Sequence, residues 1–163
     1  MKLKGKVAVI TGAAGGVGKA TVKRLASEGC KVVLIGRNRK SLDKVAEVIQ
    51  EKKNVLAIKA DLTREGEVIS AAEQTISKFE TVDILVNNAG IISDPTPFHL
   101  MTEEQWNLLI NTNLFGTFRM TKAVLPFMLK NKSGSIVNIS SLLGIRAIPN
   151  VPLSIYGGTK AGI

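Results

Sequence analysis

Five apolar runs, separated by stretches of helical periodicity, constrain this chain more than any other feature. The runs are Lys6–Ile10, Lys31–Gly36, Val55–Ala60, Val82–Val86 and Ser135–Ile139. They are mostly continuous rather than alternating, as in strands covered on both faces. Helices are expected between them at Gly16–Glu28, Lys40–Lys52, Arg64–Lys78 and Glu103–Leu129, with Pro126 bending the last or marking its end. No linker or low-complexity stretch interrupts the alternation. Strand–helix alternation of this kind predicts an α/β fold with a doubly wound parallel sheet, strand order 3-2-1-4-5 and right-handed crossovers. Ligands then bind beyond the carboxyl ends of the strands, near the switch point between the first and fourth.

The turn after the first run is Thr11-Gly12-Ala13-Ala14-Gly15-Gly16-Val17-Gly18, and a helix follows it. Strand, glycine-rich turn and helix together bring backbone N–H groups and a positive helix end up to a phosphate. The literal G-x-G-x-x-G fingerprint is absent. A P-loop is disfavoured as well: Gly18-Lys19 is present, but Ala13 replaces its first glycine and Ala20 the Ser or Thr that binds magnesium. At the other end of the chain, Tyr156 and Lys160 are spaced i and i+4, so on a helix they share one patch of surface. A phenol, with an ordinary pKa of about 10, is a poor acid–base catalyst at neutral pH. A neighbouring ammonium favours the phenolate. Such a pair more often serves packing and solubility, and it gains weight only from the segments around it.

The spacing Thr-Gly-x-x-x-Gly-x-Gly resembles the cofactor loop of the classical short-chain dehydrogenase/reductase family, whose fold is Rossmann-like. The resemblance continues in order along the chain. Asn87-Asn88-Ala89-Gly90 is similar to that family's motif after the fourth strand, Asn113 to its helix asparagine, Ser141 to its catalytic serine, and Tyr156 with Lys160 to its Tyr-x-x-x-Lys. The resemblance implies hydride transfer between a nicotinamide cofactor and a carbonyl or alcohol carbon. Tyr156 would exchange the proton, and Lys160 would favour the phenolate and hold the nicotinamide ribose. Ser141 would hydrogen-bond the substrate oxygen, and Asn113 would hold a water that relays protons to Lys160. It also implies dinucleotide contacts from Gly12, Gly15, Gly16, Val17, Gly18, Asn88, Ala89 and Gly90, with Asp61 and Leu62 at the adenine. Asp61 could equally cap the helix beginning near Arg64, and Asn87 is expected to tie backbone. The interval from Ser141 to Tyr156 is longer than in many relatives and contains Pro149 and Pro152, which would reshape the pocket wall.

The end of the second strand bears on the choice of cofactor. An NAD site places an acid there to accept from the ribose hydroxyls. Here Gly36 is followed by Arg37-Asn38-Arg39-Lys40, with no carboxylate. Arg37 is suited to clamp a 2′-phosphate, which favours NADP over NAD.

Composition narrows the other classes. A length of 163 residues and 45 % hydrophobic content fit one packed domain, here a NAD(P)-binding unit over 1–163. The single Cys30 excludes an internal disulfide and reads as a small buried apolar residue. His99 has no Cys or His cluster around it, so no metal site is expected. No run is long enough for a membrane span, and Val7–Ile10 is too short for a signal peptide, so a cytoplasmic protein is expected. The net charge of +9 invites a nucleic-acid reading, but aromatic content is 4 % and no stacking motif stands out. The expected partner is a small carbonyl or alcohol substrate, with homo-oligomers in the complete protein.

Members of the family continue well past the position of Ile163. The resemblance therefore implies a chain incomplete at its C-terminus, lacking the rest of the Tyr–Lys helix, two strands and the segment that closes the substrate pocket. Two classes stay open: the front part of an NADP-dependent reductase, or a short nucleotide-binding or interaction module without turnover. In isolation Ser135–Ile139 would present an uncovered strand edge prone to association, and residues 156–163 would be poorly held because so short a helix is marginal.

Overall fold

The structure, a computed structural model, describes residues 2–163. Its strands are β1 (Val7–Thr11), β2 (Lys31–Gly36), β3 (Val55–Lys59), β4 (Ile84–Asn87) and β5 (Ser135–Asn138). They form one sheet in the order β3-β2-β1-β4-β5, and every pairing is parallel, as the alternation predicts. The main helices are α1 (Gly16–Ser27), α2 (Arg39–Glu47), α3 (Glu65–Phe79), α4 (Glu103–Leu109), α5 (Gly116–Lys130) and α6 (Ser154–Ala161).

Successive side chains of a strand point to opposite faces, and the central strand feeds both. Val7 and Val9 join Val33, Ile35, Leu85, Val68, Ala71, Met120 and Val124 in the layer under α3 and α5. Ala8 and Ile10 join Val32, Leu34, Val22, Leu42 and Val45 in the layer under α1 and α2. Each fully buried Val, Leu or Ile contributes roughly 1.5–3 kcal/mol relative to exposure. This two-sided burial holds β1 rigidly and so fixes the turn that leaves its carboxyl end.

Two helical expectations need correction, and a third is narrowed. The second helix ends at Glu47 rather than Lys52, because Lys52 folds back and its Nζ donates to the carbonyls of Ala46 (3.1 Å) and Glu47 (2.6 Å). A cation on the last carbonyls is a normal helix stop. The long helix over 103–129 is not continuous: α4, opened by a Thr102–Gln105 capping box, runs into a π-helical segment, Ile110–Phe115, before α5 begins. Pro126 lies inside α5 and does not end it.

Beyond β5 a short 3-10 turn, Leu142–Gly144, packs against α6. The crossing is tight enough to need glycine on both sides. A Cβ at Gly144 would lie 2.7 Å from the Lys160 backbone, and one at Gly157 would lie 2.7 Å from the Leu143 carbonyl. The structure holds α6 further through Ser140 Oγ, which donates to the Lys160 carbonyl, and Asn138 Nδ2, which donates to the Ile163 carbonyl at 3.1 Å. Residues 156–163 thus gain from packing what eight helical residues lack by themselves. β5 is the outer strand, and all four of its residues are exposed.

Candidate functional site

The glycine turn is built around close backbone approach. Gly12 has φ +62°, a left-handed setting that disfavours a side chain. A Cβ there would lie 2.8 Å from Ala89 Cα, and one at Gly18 would overlap the Gly12 carbonyl and sit 2.9 Å from Ala13 Cα. Gly15 and Gly16 differ. Gly15 caps α1 without a side-chain bond, and a Cβ on Gly16 would meet nothing within 4 Å. The glycines therefore do different jobs: Gly12 and Gly18 close the turn on the end of β4, a Cβ on Gly15 would contact the Gly12 carbonyl at 3.4 Å, and Gly16 leaves open space over the N-terminus of α1. The first N–H groups of that helix have no intrahelical acceptor, and the exposed Val17 stands beside them.

The hydroxyl of Thr11, marked in the sequence only by its place before Gly12, locks this turn to the end of the fourth strand. Thr11 Oγ1, 1 % exposed, accepts from the N–H groups of Asn88 and Ala89, both at 3.0 Å, and donates to the Val86 carbonyl at 3.4 Å. Asn88 answers through Nδ2, which donates to the carbonyls of Thr11 (3.0 Å) and Gly12 (3.1 Å). Asn87 behaves otherwise than expected. It binds side chains rather than backbone: its Nδ2 donates to Thr121 Oγ1 and Asn138 Oδ1, both at 3.0 Å, across to α5 and β5.

The second cluster gathers Gly90, Asn113, Tyr156 and Lys160. Asn113 is fully buried in the π segment. Its Oδ1 accepts from Ile91 N (2.8 Å), and its Nδ2 donates to the Ile91 carbonyl (2.9 Å) and to Thr159 Oγ1 (3.1 Å). Thr159 Oγ1 in turn donates to the Tyr156 carbonyl at 2.8 Å, which joins α6 to the π turn. Lys160 is 5 % exposed, and its Nζ donates to the Ile139 carbonyl at 2.7 Å. Burial pushes its ammonium below the usual lysine range. A Cβ on Gly90 would lie 3.3 Å from Lys160 Nζ and 3.4 Å from Asn113 Oδ1, so the missing side chain lets these two groups approach the backbone closely. Lys160 Nζ lies 6.0 Å from the centre of the half-buried Tyr156 ring. Ser141 opens the 3-10 turn that packs on α6; its Oγ accepts from Leu143 N at 3.2 Å and keeps its own proton free to donate.

The remaining predicted residues lie at the ends of β2 and β3. In the basic run, Arg39 is paired with Asp43 at 2.8 Å, and the Asn38 side chain accepts from Ser41 N at 3.0 Å to cap α2. Among the described residues Arg37 has no such partner and is exposed. Asp61 does not cap α3. Its Oδ1 accepts from the Thr63 N–H (2.9 Å) and hydroxyl (2.8 Å), and α3 starts after Arg64 without a side-chain cap. Burial alone would raise the Asp61 carboxyl, but the two Thr63 donors, with Arg37 and Arg64 nearby, hold it below the usual range. The Leu62 side chain belongs to the core.

Among the described residues no three His, Cys, Asp or Glu side chains gather as a metal site, and no helix is long and apolar enough to cross a membrane. Cys30 is buried, with its thiol pushed up first by burial and then by Asp83 and Glu28. A groove of about 460 Å³ lies along the outer side of α5, and its lining includes Thr121 and Asn138, the partners of Asn87.

Residues 6–163 match the family profile described as short chain dehydrogenase. The 3-oxoacyl-[acyl-carrier-protein] reductase FabG of Thermotoga maritima is 40 % identical over all of this chain and 65 % of its own length. The 3-oxoacyl-[acyl-carrier-protein] reductase of Synechocystis is 41 % identical over 99 % of this chain and 65 % of its own. The chain thus spans just under two thirds of these curated relatives. Among solved structures, the 3-ketoacyl-(acyl-carrier-protein) reductase of Brucella melitensis, complexed with NADH, superposes with a TM-score of 0.90 at 37 % identity, covering 98 % of this chain and 66 % of that one. A NAD+-bound xylitol dehydrogenase gives 0.94 at 32 % identity, covering 99 % and 62 %.

Proposed function

The chain belongs to the short-chain dehydrogenase family, and from that premise we propose an NADP-dependent oxidoreductase that interconverts a carbonyl and an alcohol, with Tyr156 as its general acid and base. The observation that carries the proposal is the corner at Gly90. There the buried Lys160 ammonium and the buried Asn113 amide lie close against Gly90, and the Tyr156 ring stands one helical turn away from Lys160 on α6. Burying an ammonium without a carboxylate partner is costly. Such an arrangement makes sense where the charge serves something other than stability.

The dinucleotide fits the chain along the carboxyl ends of the strands. Gly16 leaves room, and the N-terminus of α1 that Gly15 caps offers N–H donors, for a pyrophosphate. Gly12, Gly18, Asn88 and Ala89 form the floor beneath it, and Gly90 lies beside the nicotinamide end. Asp61 and the backbone at Leu62 serve the adenine. Arg37, with no hydrogen-bond or ion-pair partner among the described residues and no acid in the run that follows its own strand, takes the 2′-phosphate in a charge-assisted bond. The bound nicotinamide supplies or accepts the hydride. For reduction, Tyr156 gives its proton to the carbonyl oxygen, and Ser141 donates a hydrogen bond to that same oxygen. Lys160 offsets the negative charge left on Tyr156. Asn113 holds the π turn in place and positions the proton path to Lys160. The substrate is a small carbonyl or alcohol compound.

Tyr156→Phe tests the chemistry. The ring and its packing remain, so NADPH affinity stays within about twofold, while NADPH-dependent carbonyl reduction falls about 10²–10⁴-fold, as expected for loss of a general acid. Undiminished reduction in this variant would make Tyr156 a packing residue.

A further inference from the structure

Arg119 lies on α5, in none of the motifs that point to the site, yet its guanidinium reaches two segments that the site depends on. Its Nη1 donates to Asn111 Oδ1 at 2.7 Å, to the Leu62 carbonyl at 3.2 Å and, more weakly, to the Asn111 carbonyl at 3.4 Å. The guanidinium also lies over the Phe115 ring, 5.4 Å from its centre. Asn111 is in the π segment two residues before Asn113, and Leu62 follows Asp61 in the turn after β3. Leu62 also packs on Gly116, the first residue of α5 after the π segment, where a Cβ would lie 3.0 Å from Leu62 Cβ. That contact limits how near the Leu62 turn and the chain leaving the π segment come; Nη1, whose two N–H bonds lie in the guanidinium plane, adds a directional tie between Leu62 and Asn111.

We infer that Arg119 is a positioning residue that fixes the Asp61–Leu62 turn against the π segment carrying Asn113. The inference rests on the dinucleotide reading, in which that turn meets the adenine. With Arg119 absent, the Leu62 carbonyl loses its donor, the turn gains freedom, and the adenine half of the dinucleotide must order it on binding. The nicotinamide half does not touch the turn. Asn113 keeps its bonds to Ile91 and Thr159, which do not involve Arg119.

Isothermal titration with NADPH, adenosine 2′,5′-bisphosphate and reduced nicotinamide mononucleotide separates the two halves. Arg119→Met is expected to weaken NADPH and the bisphosphate by the same factor, about fivefold to tenfold, a modest loss typical of one lost contact, and to leave the mononucleotide unchanged. Asn111→Ala, which deletes only the 2.7 Å acceptor, reproduces the pattern in weaker form and serves if Arg119→Met does not fold. Asn111→Asp keeps an acceptor for the guanidinium and restores wild-type affinities. Equal losses for both halves, or unchanged NADPH affinity in Arg119→Met and Asn111→Ala, would overturn the inference. If the unaltered chain binds neither NADPH nor the bisphosphate, the dinucleotide reading itself fails, and this inference falls with it.

Discussion

Thr11→Val removes one oxygen from the centre of the structure and little else. Valine is β-branched and suits a strand as well as threonine does. What changes is the hydroxyl that accepts from Asn88 N and Ala89 N and donates to the Val86 carbonyl. Leaving one buried donor unsatisfied costs about 1–3 kcal/mol. Two donors are stranded here, but Asn88 and Ala89 are only half-buried, so water can recover part of the loss. The expected destabilisation is therefore about 2–4 kcal/mol, set by the lower part of that range. Thr11→Ser is the control: it keeps all three bonds and loses one buried methyl group, worth about 1 kcal/mol. Urea denaturation followed by circular dichroism measures both, with the comparison made at equal slope. NADPH affinity should fall in the valine variant as well, because Asn88 supports the Gly12 turn through its own backbone anchor. If the valine variant is as stable as the serine variant, the Thr11 hydroxyl does not join the two strand ends.

Two further outcomes follow from the same region. Gly18→Ala should destabilise by about 1–3 kcal/mol, the usual cost of overpacking, because its Cβ meets the Gly12 carbonyl and Ala13 Cα. Gly16→Ala has open space and should keep or raise stability by a few tenths, up to about 1 kcal/mol, while still weakening NADPH; an unchanged affinity would remove the pyrophosphate from that spot. Arg37→Ala should weaken NADPH by roughly 1.5–3 kcal/mol, the range for a charge-assisted bond, and leave NADH nearly unchanged. Parallel titrations of the two nucleotides decide this, and equal losses would count against a 2′-phosphate contact.

The parts of the fold that depend on pattern were legible in the sequence. Continuous apolar runs place β2 at its observed bounds and the other strands within a residue or two, and alternation gives the sheet order. The glycine turn and the Tyr156–Lys160 spacing were legible for the same reason, since each is a local constraint on the backbone. What pattern could not carry were choices made by single atoms in tertiary contact. The Lys52 ammonium ends α2 early by folding back on two carbonyls. Asn87 and Asn88 are adjacent and identical, yet one bonds side chains and the other backbone, because Asn87 is the last residue of β4 and Asn88 the first of the turn beyond it. The π segment left no periodic signal, since six residues are too few to shift an apolar stripe visibly.

That segment has a consequence for how the chain tolerates change in length. A turn closed by i→i+5 bonds carries one residue more than an α-helical turn, and one residue is about 100° of rotation. The rod from Glu103 to Lys130 is therefore two helices in different rotational phase. α4 faces α6, while α5 faces α3 and β4. Losing a single residue from 110–115 would bring the halves back into phase and turn one of them away from its neighbour. Many substitutions there alter one contact; a one-residue deletion re-indexes every contact on one side of it.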